Sequence, residues 1–223
     1  MLTESTEMYL KAIFRLTQRE PYASTSGLAA ALGVSPASVS EKIKALAEQD
    51  YLIHEWREGV MLTPKGKKVA LNVLRKHRLV SAFLVEKVGY ELDEIYEEAC
   101  HLEHAVSDRL INRFEEILGF PQIDPLGNPI PDREGRMIPR HYRLLSETPV
   151  GKPVVIQALD TEDSERLRYL RNLGLVPGQE VLIQDVAPFE GPLTVVVGKK
   201  KLAIAPALAA IVGVTNGSED AKK

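Results

Sequence analysis

Only one cysteine, Cys100, occurs in the 223 residues, so no disulfide can form within the chain and nothing calls for an oxidising compartment. Long apolar runs are missing too: no stretch approaches the roughly 20 consecutive apolar residues that a membrane span requires. The opening MLTESTEMYLKAIF has no basic start, no apolar stretch and no small-residue cleavage site. These absences lead to the expectation of a cytoplasmic protein with no membrane partner. Catalytic signatures are equally scarce. The chain has no Gly-rich phosphate loop and no HExxH pair, and its one thiol lacks a base and an orienting partner outside a single cluster described below. An enzyme is not expected.

What is present is ordinary in amount and uneven in distribution. Apolar residues make up 44% and charged residues 26%, enough to build a real core. The net charge of −3 conceals a basic N-terminal part: residues 1–90 hold 13 Lys and Arg against 9 Asp and Glu, whereas residues 91–223 hold 15 against 22. A basic end on an acidic chain suits an anionic partner at that end.

Apolar periodicity predicts helices over 3–18, 25–32 and 35–49, then two short strands over 51–56 and 60–63 around the turn Arg57-Glu58-Gly59. A long helix is predicted from Lys65 to about Val88 and a further helical region from Asp93 to about Leu118. Residues 119–139 then carry five prolines, at 121, 125, 129, 131 and 139, which excludes regular structure there. Beyond them the runs PVVIQALD, QEVLIQDV, LTVVVG and KLAIAP, with the helical patch SERLRYLRNLGL, predict a small β-barrel. The tail NGSEDAKK is polar, and disorder is expected.

Helix, Gly33 turn, helix and hairpin make the order of a winged helix-turn-helix. Ser35 is predicted as the N-cap of the second helix and Pro36 as its first residue. Val39, Ile43 and Leu46 fall on the core face. Ser35, Pro36, Ala37, Ser38, Ser40 and Glu41 are left as the surface offered to the major groove, with Lys42 and Lys44 placed for phosphates and Arg57 at the wing tip. Double-stranded DNA is the partner this predicts; a helix-turn-helix that serves only protein contacts fits the same pattern. Weak phosphate neutralisation per subunit argues for a homodimer, which doubles the counterion release.

The stretch EACHLEHA places Cys100, Glu103 and His104 at i, i+3 and i+4, on one helical face. Thiolate, carboxylate and imidazole are all ligands of first-row transition metals. Three ligands leave a site open, and Met8 and His77 supply a thioether and a second imidazole on other helices. Packing alone is the competing account. His101, His54 and His141 have no evident partners and are expected at the surface or in packing roles.

At this point the chain resembles the metal-dependent repressors typified by the diphtheria toxin repressor, the iron-dependent regulators and the manganese transport regulator. The resemblance rests on TEMYLKAI at 6–13, LTPKGKK at 62–68, RKHRL at 75–79, EACHLEH at 98–104, DPLGNPIP at 124–131 and LRNLGLVPGQEV at 170–181. It implies a mainly α protein with a small β part. A winged helix-turn-helix DNA-binding domain is expected at 1–64, a helical dimerisation and metal-binding domain at 65–140 including the Pro-rich linker, and an SH3-like barrel, as in ferrous-iron transport accessory proteins, at 145–216. The implied function is a homodimeric repressor of metal-homeostasis genes that binds a palindromic operator when loaded with metal. Carried over by position, the primary ligands are Met8, Cys100, Glu103 and His104. An ancillary site would use His77, Glu103 and one of Glu162, Asp163 and Glu165, with altered geometry, because the family's glutamate and histidine ligands there are replaced by Ser81 and Tyr96. Soft Met8 and Cys100 favour Fe(II) over Mn(II). The manganese branch tends to carry carboxylates at both of these positions and a glutamate where this chain has Lys11. Co, Ni, Zn and Cd are expected to substitute in vitro. The competing functions are a metal-independent or redox-sensing DNA-binding regulator using Cys100, and a metal carrier or metalloenzyme.

Overall fold

The computed structural model describes residues 2–18, 20–140 and 142–216. His141 and the tail at 217–223 lie outside the described residues. The chain folds as two compact units, one made of residues 1–77, 101–108 and 131–137 and the other of 78–100, 109–130 and 138–223.

The first unit holds α1 (Glu4–Leu16), α2 (Thr25–Leu32), α3 (Pro36–Glu48), β1 (Leu52–Glu55), β2 (Gly59–Leu62), the start of α4 (Pro64–Phe83) and the end of α5 (Ile95–Ala105). Each of the first three helices begins where a hydroxyl can take an otherwise unpaired N–H. Thr3 accepts from Thr6 N, Ser24 from Gly27 N and Ser35 from Ser38 N. Pro36 sits in the first turn of α3, where its missing N–H costs nothing. Gly33 ends α2 at φ +66, a left-handed conformation that other residues adopt only at a cost. The predicted core face of α3 is buried: Val39, Ile43 and Leu46 are 0%, 3% and 0% exposed. They pack with Tyr9, Leu10, Ile13 and Phe14 of α1, Leu28 of α2 and Leu71 and Leu74 of α4. Each such side chain contributes about 1.5–3 kcal/mol on leaving water. The strands pair antiparallel from Leu52↔Leu62 to Glu55↔Gly59, forming the wing.

The LTPKG run turns the wing into α4. Thr63 Oγ1 accepts from Gly66 N at 3.1 Å and donates to Asp50 O at 2.8 Å. Gly66 has no room for a side chain: a Cβ there would fall 1.9 Å from Tyr51 O.

The second unit differs from the prediction in three places. The helix expected to about Val88 is α-helical only to Phe83 and continues as a π-helical turn, Leu84–Val88, before Gly89. The helical region expected over 93–118 is two helices, α5 and α6 (Asp108–Ile117), because Ser107-Asp108 is a helix-start sequence that interrupts the run. Phe83 and Phe114 stack with ring centroids 4.1 Å apart. The C-terminal part adds two strands to the four predicted. β3 (Arg143–Leu144), β4 (Pro153–Leu159), β5 (Glu180–Val186), β6 (Leu193–Val197), β7 (Lys200–Ile204) and β8 (Val212–Asn216) form one antiparallel sheet in the order β3-β8-β4-β5-β6-β7. Irregularities at Ile156/Ala158 and Ile183/Asp185 bend the sheet as small barrels require. The β8 pattern is masked in the sequence by Gly213, which the fold needs: its Cβ would lie 2.5 Å from the Tyr142 ring. Two further helices, α7 (Ser164–Asn172) and the short α8 (Pro206–Ala209), complete this part.

The Pro-rich segment is irregular, as expected, yet ordered by its own chemistry. Asp124 Oδ1 accepts from Leu126 N at 3.0 Å and Asn128 N at 2.8 Å. Leu159 N of β4 donates to Leu126 O at 2.8 Å, so the DPLGN turn is fastened to the sheet.

Candidate metal centre and nucleic-acid interface

Three helices bring polar groups into the core of the first unit. Helix α1 is amphipathic, and Glu7 and Lys11 share a face at i and i+4. Helix α5 carries Cys100, Glu103 and His104 at i, i+3 and i+4, and α4 carries His77. Glu103 is fully buried and Lys11 and His77 nearly so. Lys11 Nζ donates to Glu103 Oε1 at 2.7 Å and Oε2 at 2.9 Å, and His77 Nδ1 lies 2.6 Å from Oε2. Burial by itself pushes the Glu103 carboxyl up. The neighbouring His104 and His77 rings and the Lys11 ammonium outweigh it and hold the group well below the usual carboxylate range, so Glu103 is an anion at any ordinary pH.

His104 is held from its other side. Its Nδ1 lies 2.6 Å from Glu7 Oε2, which makes Nδ1 the protonated nitrogen of the neutral ring. The pull of Glu103, and after it that of Glu7, raises the His104 pKa against the opposing effect of burial. The remaining nitrogen, Nε2, is buried without a hydrogen-bond partner, although Glu103 Oε1 is only 3.2 Å away.

These residues fit a divalent transition-metal ion. A carboxylate–imidazole pair that leaves the second ring nitrogen as a lone pair is the arrangement that prepares histidine for a metal, and an unpartnered buried Nε2 beside a carboxylate oxygen is what such an ion would satisfy. Cys100 is half-buried on the same face of α5, and Met8 is half-buried on α1 beside Glu7. Among the described residues no group of three or more His, Cys, Asp or Glu is already arranged to hold a metal. The pairings account for that: Glu103 is engaged by Lys11 and His77, and Glu7 by His104.

The other predicted surface lies on α3 and the wing. Ser35, Pro36, Ala37, Ser38, Ser40, Glu41 and Lys44 are exposed. Ser40 Oγ donates to Pro36 O at 2.9 Å. Lys42 is differently placed from the phosphate-facing position expected of it: its Nζ donates to Thr6 Oγ1 at 3.1 Å and lies 5.9 Å from the Tyr9 ring centre, tying α3 to α1. Arg57 adopts φ +68 at the wing tip, its guanidinium 5.9 Å from the Trp56 ring. Trp56 itself is 81% exposed.

Three family models match successive parts of the chain. Residues 1–60 match the model for the iron dependent repressor N-terminal DNA binding domain, 63–132 that for the iron dependent repressor metal binding and dimerisation domain, and 143–216 the FeoA domain. The HTH-type transcriptional regulator MntR of Bacillus pumilus is 36% identical over 120 residues, 54% of this chain and 83% of MntR. The chain belongs to the family of metal-dependent repressors. Iron-dependent repressor IdeR of Mycobacterium tuberculosis is 29% identical to this repressor over 215 residues, 91% of this chain and 93% of IdeR. A solved manganese-dependent transcriptional repressor in complex with manganese superposes with a TM-score of 0.86 at 34% identity, covering 95% of this repressor and 99% of that chain.

In this repressor two of the ancillary candidates, His77 and Glu103, are hydrogen-bonded to each other. Asp163 caps α7 by accepting from Arg166 N at 3.0 Å. Glu162 is half-buried and Glu165 exposed, while Ser81 is buried and Tyr96 half-buried. His54 and His101 lie exposed at the surface. Sequence reasoning passed over Glu7 and Trp56 as functional groups and met Lys11 only as a departure from the manganese branch, without its partner Glu103. The signal that could have found Glu7 and Lys11 is their i, i+4 spacing around Met8.

Proposed function

We propose that this chain is a metal-activated transcriptional repressor, a cytoplasmic homodimer that binds a palindromic double-stranded operator and controls genes of metal uptake. Met8, Cys100, Glu103 and His104 are its ligand set, with Fe(II) favoured over Mn(II) by the soft thioether and thiolate. The observation that carries this reading is the buried, unpartnered His104 Nε2 beside Glu103, with Nδ1 held by Glu7 of the helix that also carries Met8. A bound divalent cation supplies two positive charges and a demand for several donors at once. Donors on α1 and α5 can meet that demand only when the two helices keep one arrangement, so α1 is fixed with the winged helix it belongs to. Glu7 orients His104, and His77 holds Glu103; we assign His77 this orienting part rather than that of an ancillary ligand. The exposed start of α3, with Lys44 and Arg57, is the operator-reading surface.

A gel shift on palindromic DNA tests this. The full-length protein should retard the operator with Fe(II) or Mn(II) and release it with chelator. Cys100→Ala should need at least about tenfold more metal for the same shift, since even outer-shell partners of a metal typically cost 10–100-fold in affinity. Retardation that ignores both chelator and the substitution would refute the reading. Glu7→Ala probes the orientation of His104 separately. It should weaken Mn(II) binding about 10–100-fold by calorimetry while leaving the unfolding midpoint nearly unchanged. Equal affinity would show that Glu7 does not prepare His104 for a metal.

A further inference from the structure

We propose that Lys11 is a built-in cation that takes the place of a second metal ion at the Glu103–His77 pair, so that Glu103 serves one ion only in each protomer. This rests on the ligand set proposed above.

The lone pairs of Glu103 limit what it can bind. A carboxylate offers about four acceptor directions, two on each oxygen. At Oε2 both are used, by Lys11 Nζ at 2.9 Å and His77 Nδ1 at 2.6 Å. At Oε1 one is used, by Lys11 Nζ at 2.7 Å. The single direction left is at Oε1, the oxygen 3.2 Å from the unpartnered His104 Nε2. A carboxylate that bridges two ions, through one oxygen or through both, needs two open directions, and here only one remains.

Charge leads to the same result. A second divalent ion against Oε2 and His77 would sit beside an ammonium that is itself within hydrogen-bond reach of both carboxylate oxygens. Lys11 is only 6% exposed, so water cannot screen that repulsion. The ammonium supplies the positive charge that the buried carboxylate requires on this side, in a fixed and non-exchangeable form. A carboxylate at position 11 would reverse this, removing a cation and adding a ligand beside His77.

Electron paramagnetic resonance of the full-length dimer titrated with Mn(II) reads the difference directly. Two Mn(II) ions sharing a carboxylate, about 3.5–4 Å apart, give an exchange-coupled spectrum, whereas a lone ion gives an isolated six-line one. The parent should bind Mn(II) at this cluster as an isolated ion and show no coupled pair at saturation. Lys11→Glu should take up one more Mn(II) per protomer and develop the coupled spectrum. Lys11→Gln, which removes the charge and offers an amide oxygen, keeps the test open should Lys11→Glu fail to fold, and it too should show the coupled pair. A coupled pair in the parent overturns the proposal while sparing the ligand set. Absence of coupling in the folded variants overturns it as well. A parent that binds no Mn(II) at this cluster overturns the proposal and the ligand set together.

Discussion

Glu103→Ala should destabilise the metal-free protein by about 3–5 kcal/mol, because it leaves the Lys11 ammonium buried without its counter-charge. Lys11 and Glu103 are 6% and 0% exposed, so the discount that applies to surface ion pairs does not apply here. The loss is largest when the remaining charge has nowhere to go. Lys11 sits inside α1, between residues of the core that include Leu10 and Ile13, and cannot reach water without disturbing the helix that carries them. His77 loses its Nδ1 partner in the same substitution, so the penalty is not that of the pair alone. Urea unfolding followed by circular dichroism, in chelator, measures the effect as a fall in midpoint. The double variant Lys11→Met, Glu103→Leu should recover most of it, since an apolar pair of similar volume removes the unpaired charge. A single variant within about 1 kcal/mol of the parent would mean that the ion pair is not sealed from water. The single and the double variant should nonetheless share one defect: neither can respond to metal, because both lack a proposed ligand.

With Glu103 as a proposed ligand, stability and sensing meet at one carboxylate, and this is also where the sequence was hardest to read. Cys100, Glu103 and His104 stand out at i, i+3 and i+4 because their chemistry is uncommon on a helix face. Glu7 and Lys11 do not stand out, since a Glu and a Lys four apart on an amphipathic helix read as an ordinary solvated pair. Only the placement of α5 against α1 within the first unit turns them inward, and no periodicity encodes which charged face of a helix will be covered. The winged helix was legible for the opposite reason. Ser35-Pro36, Gly33 and Thr63-Pro64 are local signals, fixed by capping and by φ, and the structure places α2, α3 and α4 where those residues put them. Tertiary need overrode local pattern in the sheet: Gly213 hides β8, and what requires the glycine is the Tyr142 ring.

Gly66 sets the same two influences against each other and makes the second large prediction. It lies in the first turn of α4, where helix propensity favours Ala over Gly by roughly 0.8–1 kcal/mol. On propensity alone Gly66→Ala should stabilise the protein. The surroundings say otherwise, since the new Cβ would meet Tyr51 O at 1.9 Å and Tyr51 C at 2.9 Å, and these are backbone atoms that cannot swing aside. Tyr51 O also accepts from Thr63 N at 3.1 Å, and Tyr51 N donates to Leu46 O at 3.0 Å, so the peptide that must yield joins the end of α3 to the wing. A shift of an ångström or more there breaks these bonds and moves β1. The expected outcome is a loss of about 3 kcal/mol, at the upper end of what overpacking usually costs, together with a fall in operator affinity at saturating metal. Gly33→Ala is the control. Its φ of +66 imposes about 1–2 kcal/mol of backbone strain, but nothing lies within 4 Å of the added methyl. If the clash governs, Gly66→Ala is the more damaging of the two, in stability and in operator binding. If propensity governs, Gly66→Ala melts above the parent and Gly33→Ala below it, a reversal that would place Tyr51 farther from α4 than the LTPKG turn requires.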